Sequence, residues 1–447
     1  MIEFADLAVK KCRKLGADEA EAFVQNQQTV EVVLERAEIQ NERFKTHSGI
    51  GIRVIRDKKL GFAFASHLSK ESIEEACKAA ISLADVSTPN PEWVSLPVRE
   101  KLPKTPEGVF DPEIANMSGS KMLNLVIRAY DEAKHFDKRV VIDDGKFSAI
   151  LTEMAISNSN GVEAQEKTTR IEGYLICVAK EHGETSSMAY EYDASTTLKE
   201  FSPTRIGRTA AEKALASLHS KTTESFTGKV VLEPDPASFI LFYPVINSVN
   251  ADNVQRGRSI WAGKIGEKFA FPELTIVDDG LMPKGINSSS FDSEGVPRQK
   301  TPIITQGKLV NFMHNSYTAN KEGRKSTGNA YRESYTMLPT IAASNLKVEA
   351  GKKTLEEMVS EVDKGIIVRR FSGNVRPDSG EFSGIAKQVS YIENGEIKHA
   401  LKETMISGNA FQALKNIIEI GSEIRPTEIR AYVPPVLVDG VNIISKQ

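Results

Sequence analysis

The stretch Gln388-Val-Ser-Tyr-Ile-Glu-Asn-Gly-Glu-Ile-Lys398 decides how the second half of the chain folds. Its Asn394-Gly395 dipeptide fits the two-residue turn of an antiparallel hairpin and is the strongest hairpin signal in the sequence. Other strand-like runs accompany it, at 307–313, 365–371 and 381–384. Residues 221–447 are therefore predicted to form a mostly antiparallel sheet or barrel, with helices at 355–362 and 410–418.

The N-terminal half predicts two similar units, each with a helix, antiparallel strands and a second helix, so the predicted fold class is α+β. In the first unit we expect strands at 18–27 and 29–39, a hairpin over 49–65 and a helix over 70–84. The second unit, with a hairpin turn at Asn160-Gly161, repeats this plan. We interpret the repeat as a weak internal duplication, and two unrelated modules remain the alternative.

Prolines mark the boundary between the two units. They recur between residues 86 and 118, at Pro89, Pro91, Pro97, Pro103, Pro106 and Pro112. A segment of this kind is a linker or an ordered crossing segment, because proline interrupts both helices and sheets. The predicted domains are an N-terminal α+β domain at 1–88, a linker at 89–118, a central α+β domain at 119–220 and a β-rich domain at 221–447.

Composition excludes several classes of function. The chain has 447 residues, 57 basic and 60 acidic, and a net charge of −3 without a long basic run, so no direct nucleic-acid partner is expected. The longest uncharged stretch, 236–251, is too short and too polar for a membrane span. The three distant cysteines, Cys12, Cys77 and Cys177, indicate reduced thiols. We expect a cytoplasmic protein without a membrane partner.

Four sequence blocks follow the apolar segment Ser238-Phe-Ile-Leu-Phe-Tyr-Pro-Val-Ile-Asn247. They are Arg256-Gly-Arg-Ser-Ile-Trp-Ala-Gly-Lys-Ile-Gly-Glu267, Leu274-Thr-Ile-Val-Asp-Asp-Gly280, Phe291-Asp-Ser-Glu-Gly-Val-Pro-Arg-Gln-Lys-Thr301 and Ser326-Thr-Gly-Asn-Ala-Tyr-Arg332. Their order resembles the TldD/PmbA family, also called modulators of DNA gyrase, whose catalytic branch is a zinc peptidase. The most specific pattern is D-x-E-G-x-P-x-Q followed by T-G-N-x-x-R. The resemblance covers nearly the whole chain.

The resemblance places a His-Glu-x-x-x-His zinc motif on a helix at 238–247. The matching positions here are Phe242, Tyr243 and Asn247, so the motif is degenerate. Phenylalanine offers no ligand atom, asparagine is a poor zinc ligand, and tyrosine, with a pKa near ~10, cannot replace a carboxylate base at neutral pH. Pro244 is expected to interrupt the helix. No cysteine follows Cys177, although the catalytic branch uses a late sulfur ligand.

Other residues offer no replacement for the missing site. The two histidines of such a helical zinc motif share one helical face, yet no two histidines here are closer than 20 residues. The seven are His47, His67, His135, His182, His219, His314 and His399. A site assembled from distant loops remains the alternative, without a local signature. A Gly-x-Ser-x-Gly nucleophile motif is absent, and Asp278-Asp279-Gly280 is more typical of a strand end than of paired catalytic carboxylates. We therefore expect no catalytic residue, no metal and no cofactor in this chain.

The resemblance implies the PmbA or TldE branch, that is, a non-catalytic subunit. Its partner would be a TldD-type zinc peptidase that carries the zinc, and the heterodimer would act on flexible peptides or small unfolded proteins. Two alternatives remain: a self-sufficient hydrolase using Asp278, Asp279 and a distant histidine, and a homodimeric binding or scaffold protein. The candidate substrate or interface residues are Arg298, Arg332, Asn329 and Arg256. Arg298 and Arg332 could bind a carboxylate, and the alternative for these two is a structural salt bridge.

Overall fold

One antiparallel sheet of seven strands runs through the N-terminal half of the protein, seen in a computed structural model that describes residues 1–36 and 38–445. The first unit consists of α1 (Ile2–Lys14), β1 (Glu19–Glu35), β2 (Glu38–Arg56), β3 (Lys59–Ala65) and α2 (Lys70–Val86). The second consists of α3 (Pro112–Ala115), α4 (Gly119–Phe136), β4 (Val140–Asn158), β5 (Glu163–Glu181), β6 (Glu184–Thr185), β7 (Ala189–Ser195) and α5 (Pro203–Ala216). The strand order is β3-β2-β1-β4-β5, with β6 and β7 both paired to β5. The predicted α+β class is confirmed.

The two units are arranged symmetrically about the pairing of β1 with β4. On each side a helix is followed by long antiparallel strands and then by a second helix. The runs Gly49–Ile55 and Gly173–Val178 lie on β2 and β5, which occupy equivalent places next to the central pair. This topology is compatible with an internal duplication, and both the duplication and the alternative of two unrelated modules stay predictions.

The shared sheet has two separate cores on its helical face. Ala8, Ile50 and Ile73 lie in the core beneath α1 and α2, whereas Met122 and Ile206 lie in the core beneath α4 and α5. The proline-containing segment between the units is anchored, since the Trp93 indole donates to Glu19 Oε2 at 2.7 Å. The domain boundaries drawn from the sequence stay predictions, because strands of both units belong to one sheet.

Local turn signals identified the hairpins correctly but not the length of every strand. Hairpins form at 49–65, at Asn160-Gly161 and at Asn394-Gly395, as predicted. The expected strand pair 18–27 and 29–39 is wrong, because the residues of both runs from Glu19 to Glu35 belong to the single strand β1, whereas Glu38 and Ile39 already belong to β2. Alternation marks an extended backbone without showing where it reverses.

The C-terminal part, residues 221–445, contains most of the strands. They are β8 (Phe226–Leu232), β9 (Ile276–Asp279), β10 (Lys300–Thr305), β11 (Lys308–Leu309), β12 (Ala330–Tyr331), β13 (Thr340–Ile341), β14 (Leu346–Val348), β15 (Lys364–Val375), β16 (Glu381–Glu393), β17 (Glu396–Leu401), β18 (Thr404–Asn409), β19 (Ile417–Ile420), β20 (Arg425–Thr427), β21 (Ala431–Val433) and β22 (Val436–Ser445). The helices are α6 (Pro234–Ala237), α7 (Tyr243–Ser248), α8 (Ala251–Gln255), α9 (Ser316–Lys321), α10 (Leu355–Ser360) and α11 (Ala410–Ala413). Helix α11 is shorter than the predicted 410–418, because its last residues form β19 instead.

Five of these strands, β8, β15, β16, β18 and β22, close into a barrel. The mostly antiparallel sheet or barrel predicted here is thereby confirmed. A second sheet, β11-β10-β9-β14-β21-β20, lies beside the barrel. Among the described residues, no helix is both long and apolar enough to cross a membrane.

Alternation along the strands of the large sheet gives it two different faces. On β4 and β5, Ala149 and Ile171 belong to the core under the helices, whereas Ser148 and Arg170 line cavities on the other face. The helix-free face is turned toward the C-terminal part, where Phe23 and Ile156 pack against Phe291. The candidate site lies along this boundary.

Candidate functional site

The three positions of the degenerate zinc motif are used for packing. Phe242 is fully buried in the C-terminal core. The Tyr243 ring stacks on Phe239 with centroids 5.8 Å apart, and Asn247 Oδ1 accepts a hydrogen bond from Asn253 Nδ2 at 3.2 Å. A zinc ion needs nitrogen, sulfur or carboxylate donors. This set of side chains does not fit one.

Pro244 does not end the helix, contrary to the expectation from the sequence. Residues Pro234–Ser248, named here the motif helix, are helical throughout, with a π turn over Ser238–Phe242. The Tyr243 N–H donates to the Ser238 carbonyl, one residue further back than in an α-helix. Pro244 then falls in the first turn of α7, where its missing N–H is tolerated. The π turn accommodates the proline.

No alternative metal site replaces the motif in the part of the chain that the structure describes. There, no three His, Cys, Asp or Glu side chains are grouped as a metal ion requires. His314 is fully buried, and burial lowers its pKa to about 4, against the smaller opposing effect of Glu322. Its ring is therefore neutral at physiological pH.

Arg332 belongs to a buried group of four charged residues, named here the ion cluster: Glu21, Arg53, Glu294 and Arg332. Arg332 donates to Glu21, and Arg53 bridges Glu21 at 2.7 Å and Glu294 at 3.0 Å. None of the four side chains is more than 4% exposed. Burial acts to raise the pKa of Glu294, but Arg53 and the N–H of Ser316 outweigh it and hold that pKa below its usual value. The cluster joins the sheet to the C-terminal part.

Arg298 and Asn329 are also buried and already bonded. Arg298 Nη1 donates to the Gly328 carbonyl at 2.7 Å and to Ser344 Oγ at 2.9 Å. Asn329 donates to Asp278 Oδ2 at 2.6 Å, and Ser344 donates to the same carboxylate. Burial raises the pKa of Asp278 against these bonds. These contacts account for the Thr-Gly-Asn turn and for the strand end at Asp278-Asp279 without a substrate.

Arg256 is the exposed member of the four candidates. Its Nε lies 2.9 Å from Asp252 Oδ2 on α8. It borders a cavity of about 470 Å³ with Trp93 and Tyr317. The structure thus separates the four residues: three are buried in internal bonding networks, and Arg256 stands elsewhere on the surface.

A cleft lies between the helix-free face of the large sheet and the C-terminal part. It has two chambers, the tyrosine chamber of about 420 Å³ and the arginine chamber of about 200 Å³. Both are lined by the same four residues, named here the neck: Arg170, Ile286, Asn287 and Arg430. A narrower extension, lined by Tyr190 and Asp235, reaches the start of the motif helix.

The tyrosine chamber takes its name from Tyr174, Tyr190 and Tyr192. Tyr174 donates to Asp144 at 2.9 Å, Tyr192 to Glu172 at 3.2 Å and Tyr190 to Glu428. Burial, followed by nearby carboxylates, raises the pKa of all three hydroxyls, that of Tyr174 to about 12. The chamber therefore presents neutral aromatic rings together with acidic groups.

The neck is positively charged. Arg170 Nε lies 3.3 Å from Glu172 Oε2 but forms no hydrogen bond. The Arg430 guanidinium lies 3.9 Å from the centre of the Tyr331 ring, and no described carboxylate is within ion-pair distance of it. Burial is the main cause that lowers the pKa of Arg430, and the positive charges of Arg298 and Arg170 add to it. Two arginines therefore share one small space, and among the described residues the only ion pair that either of them forms is that of Arg170 with Glu172.

Sequence reasoning missed the neck. Its one usable signal was the alternation Thr168, Arg170, Glu172, Tyr174 along the predicted strand, which indicates a polar face. Arg430 gave no signal, because its position depends on a turn between β20 and β21. A single sequence does not reveal that residues 260 positions apart meet.

Three domain profiles of one family match the chain. They are PmbA/TldA metallopeptidase domain 1 over 20–84, the central domain over 112–218 and the C-terminal domain over 225–445. Fold and sequence together define a protein of the metallopeptidase-like class with these three domains. The chain belongs to the PmbA/TldD family.

Relatives of both branches resemble the chain. An uncharacterized protein of Methanocaldococcus jannaschii is 30% identical over 412 residues, which are 92% of this chain and 93% of the relative. A metalloprotease TldD homolog of Buchnera aphidicola is 28% identical and covers 89% of this chain and 83% of its own. The crystal structure of TldE from Thermococcus kodakarensis superposes with a TM-score of 0.93 at 24% identity, covering 99% and 100%. That likeness shows the fold, and overall identity does not separate the branches.

Proposed function

We propose that this chain is the non-catalytic partner of a TldD-type zinc peptidase and forms half of the wall around a chamber for flexible peptides. The observation that carries the proposal is the burial of Phe242 in the core, at the place where the family resemblance puts the first zinc ligand. Tyr243 and Asn247 complete the change from ligands to packing residues. The zinc, the base and the water would come from the partner.

The cleft supports a role in holding peptide. It runs from the arginine chamber through the neck to the motif helix, and polar groups from both sides line it. A flexible chain needs such a groove with a few fixed polar contacts, since these set its direction. The pair would release its peptide products into the cytoplasm. The three free cysteines suit that compartment, because thiols stay reduced there.

The self-sufficient hydrolase is not supported by the surroundings of Asp278. Its two carboxylate oxygens accept three hydrogen bonds from Asn329 and Ser344. The residue as a whole is only 1% exposed. A general base must reach a substrate proton within hydrogen-bond distance. Asp278 serves instead to hold the turn that contains Asn329.

The proposal is tested by purifying the chain from its native cell under gentle conditions. We expect a second family member bearing His-Glu-x-x-x-His to accompany it in equal amount, with zinc and peptidase activity present only in the pair. Stoichiometric zinc together with peptidase activity in the isolated chain would sink the proposal. Recovery of a homodimer without any zinc-bearing relative would favour the scaffold alternative.

A further inference from the structure

The neck holds two arginines that form only one ion pair between them among the described residues. Arg170 has one carboxylate near it, Glu172, and its buried Nε has no hydrogen-bond partner. Arg430 rests on the Tyr331 ring and has no carboxylate within ion-pair distance among the residues described. A buried donor that lacks a partner loses the hydrogen bonds that water would supply. An incoming acceptor at the neck restores them.

The backbone at Arg430 adds a second, independent observation. Its φ is +63°, in the left-handed region that residues with a side chain rarely adopt. Strain of this kind persists where the surroundings hold a residue in place, and it occurs often at ligand-binding positions. Arg430 adopts this backbone in the turn between β20 and β21, and its side chain lines both chambers.

The surroundings of the neck favour a carboxylate over a phosphate. The tyrosine chamber contains Glu172 and Glu428, which would repel a dianion more strongly than a monoanion. Guanidinium groups bind carboxylates with two parallel hydrogen bonds. The three tyrosine rings beside the neck offer an aromatic wall for an apolar side chain next to that carboxylate.

We propose that Arg170 and Arg430 bind the C-terminal carboxylate of a peptide whose last side chain lies in the tyrosine chamber. This assignment rests on the proposed function, since it specifies the class of peptide that the wall holds: one with a free and aromatic or apolar C-terminus. The substrate role expected for Arg298 and Arg332 from the sequence stays a prediction, since both residues also line the arginine chamber. Arg298 lines the arginine chamber beside the neck, and its Nη1 is already bonded to Gly328 and Ser344.

The test compares two forms of one fluorescent decapeptide that ends in phenylalanine, one with a free carboxylate and one amidated. Binding to the purified full chain is measured by fluorescence anisotropy. We expect the acid to bind at least about tenfold more tightly than the amide, because charge-assisted hydrogen bonds are lost in the amide. In Arg170→Gln and in Arg430→Gln this ratio should fall to within about twofold.

Arg208→Gln is the matched control, since Arg208 lies exposed on α5, away from the cleft, and should keep the wild-type ratio. Arg430→Lys guards against misfolding: it keeps the charge but not the two-pronged geometry, and an intermediate ratio is expected. Thermal unfolding of every variant verifies the fold.

Equal binding of acid and amide by the wild type, or no binding of either, would overturn the carboxylate site. Displacement of the acid by equimolar inorganic phosphate would assign the neck to phosphate and overturn it as well. These failures leave the search for a zinc-bearing partner untouched. Conversely, a chain that purifies without a partner but still prefers the acid would refute only the proposed function.

Discussion

The ion cluster and the neck both place arginines between the large sheet and the C-terminal part, yet their charges are treated in opposite ways. In the ion cluster two arginines face two glutamates, and none of the four side chains is more than 4% exposed, although Arg332 and Arg53 each border a cavity. At the neck Arg170 pairs with Glu172, Arg430 has no ion pair among the described residues, and both arginines border open chambers. The same residue type therefore stabilises the fold where it is paired and remains available to a ligand where it is not.

The largest expected effect comes from breaking the ion cluster. Arg332→Met removes one cation and leaves Glu21 with a single partner in a dry interior, so the free energy of unfolding should fall by about 3–5 kcal/mol. Urea unfolding followed by circular dichroism measures this loss. The double variant Glu21→Leu, Arg332→Met should recover part of it. Two single losses that simply add would show that the residues do not act as a pair.

His314 is a third case, in which a buried titratable group stays neutral and is neither paired nor left charged. Its pKa of about 4 lies below the ordinary value of 6.5, so the unfolded chain takes up a proton that the folded chain refuses as the pH falls between these values. Stability contributed by His314 is therefore lost on acidification. In His314→Gln the fall in unfolding free energy between these two pH values should be smaller by about 2–3 kcal/mol.

His135→Gln is the control for this pH series, because His135 lies exposed on α4. Denaturant titrations at several pH values provide the comparison. Parallel pH profiles for wild type and His314→Gln would mean that His314 is protonated in the folded protein.

The smallest effect on stability is expected at the neck. Arg430→Gln removes a repelled cation and loses a contact with Tyr331, two changes that oppose each other, so the free energy of unfolding should change by less than about 1 kcal/mol. The measurement is the same urea titration used for Arg332→Met. A loss as large as that of Arg332→Met would place Arg430 among the structural arginines and erase the contrast.

Much of the fold could be predicted because its signals are local. Asn394-Gly395 and Asn160-Gly161 define their turns through dipeptides that accept the backbone angles a tight hairpin needs. The full length of β1 could not be predicted, since alternation is the same on both sides of a turn. Helix α11 was overestimated for a related reason: Ile417–Ile420 is apolar enough for either state, and pairing with β22 decides it.

For the candidate site, the sequence predicts only that the zinc ligands of the family motif are missing. The side chains of Phe242, Tyr243 and Asn247 are visible in the sequence, and so is the absence of ligand chemistry among them. The roles of Arg332 and Arg170 are not, because the partner of Arg332 is Glu21, 311 residues away. Whether an arginine is neutralised depends on such distant contacts.

The pairing of β1 with β4 has a consequence for how this protein can be taken apart. Residues Glu21 to Glu35 are matched along their whole length by Asp144 to Asn158. A fragment carrying only the first unit would expose the backbone of a 17-residue strand, an edge that attracts other strands and promotes aggregation. Because both units lie in one chain, β4 covers this strand edge. Sedimentation of a fragment 1–88 should therefore show self-association, and adding a fragment 119–447 should reverse that self-association.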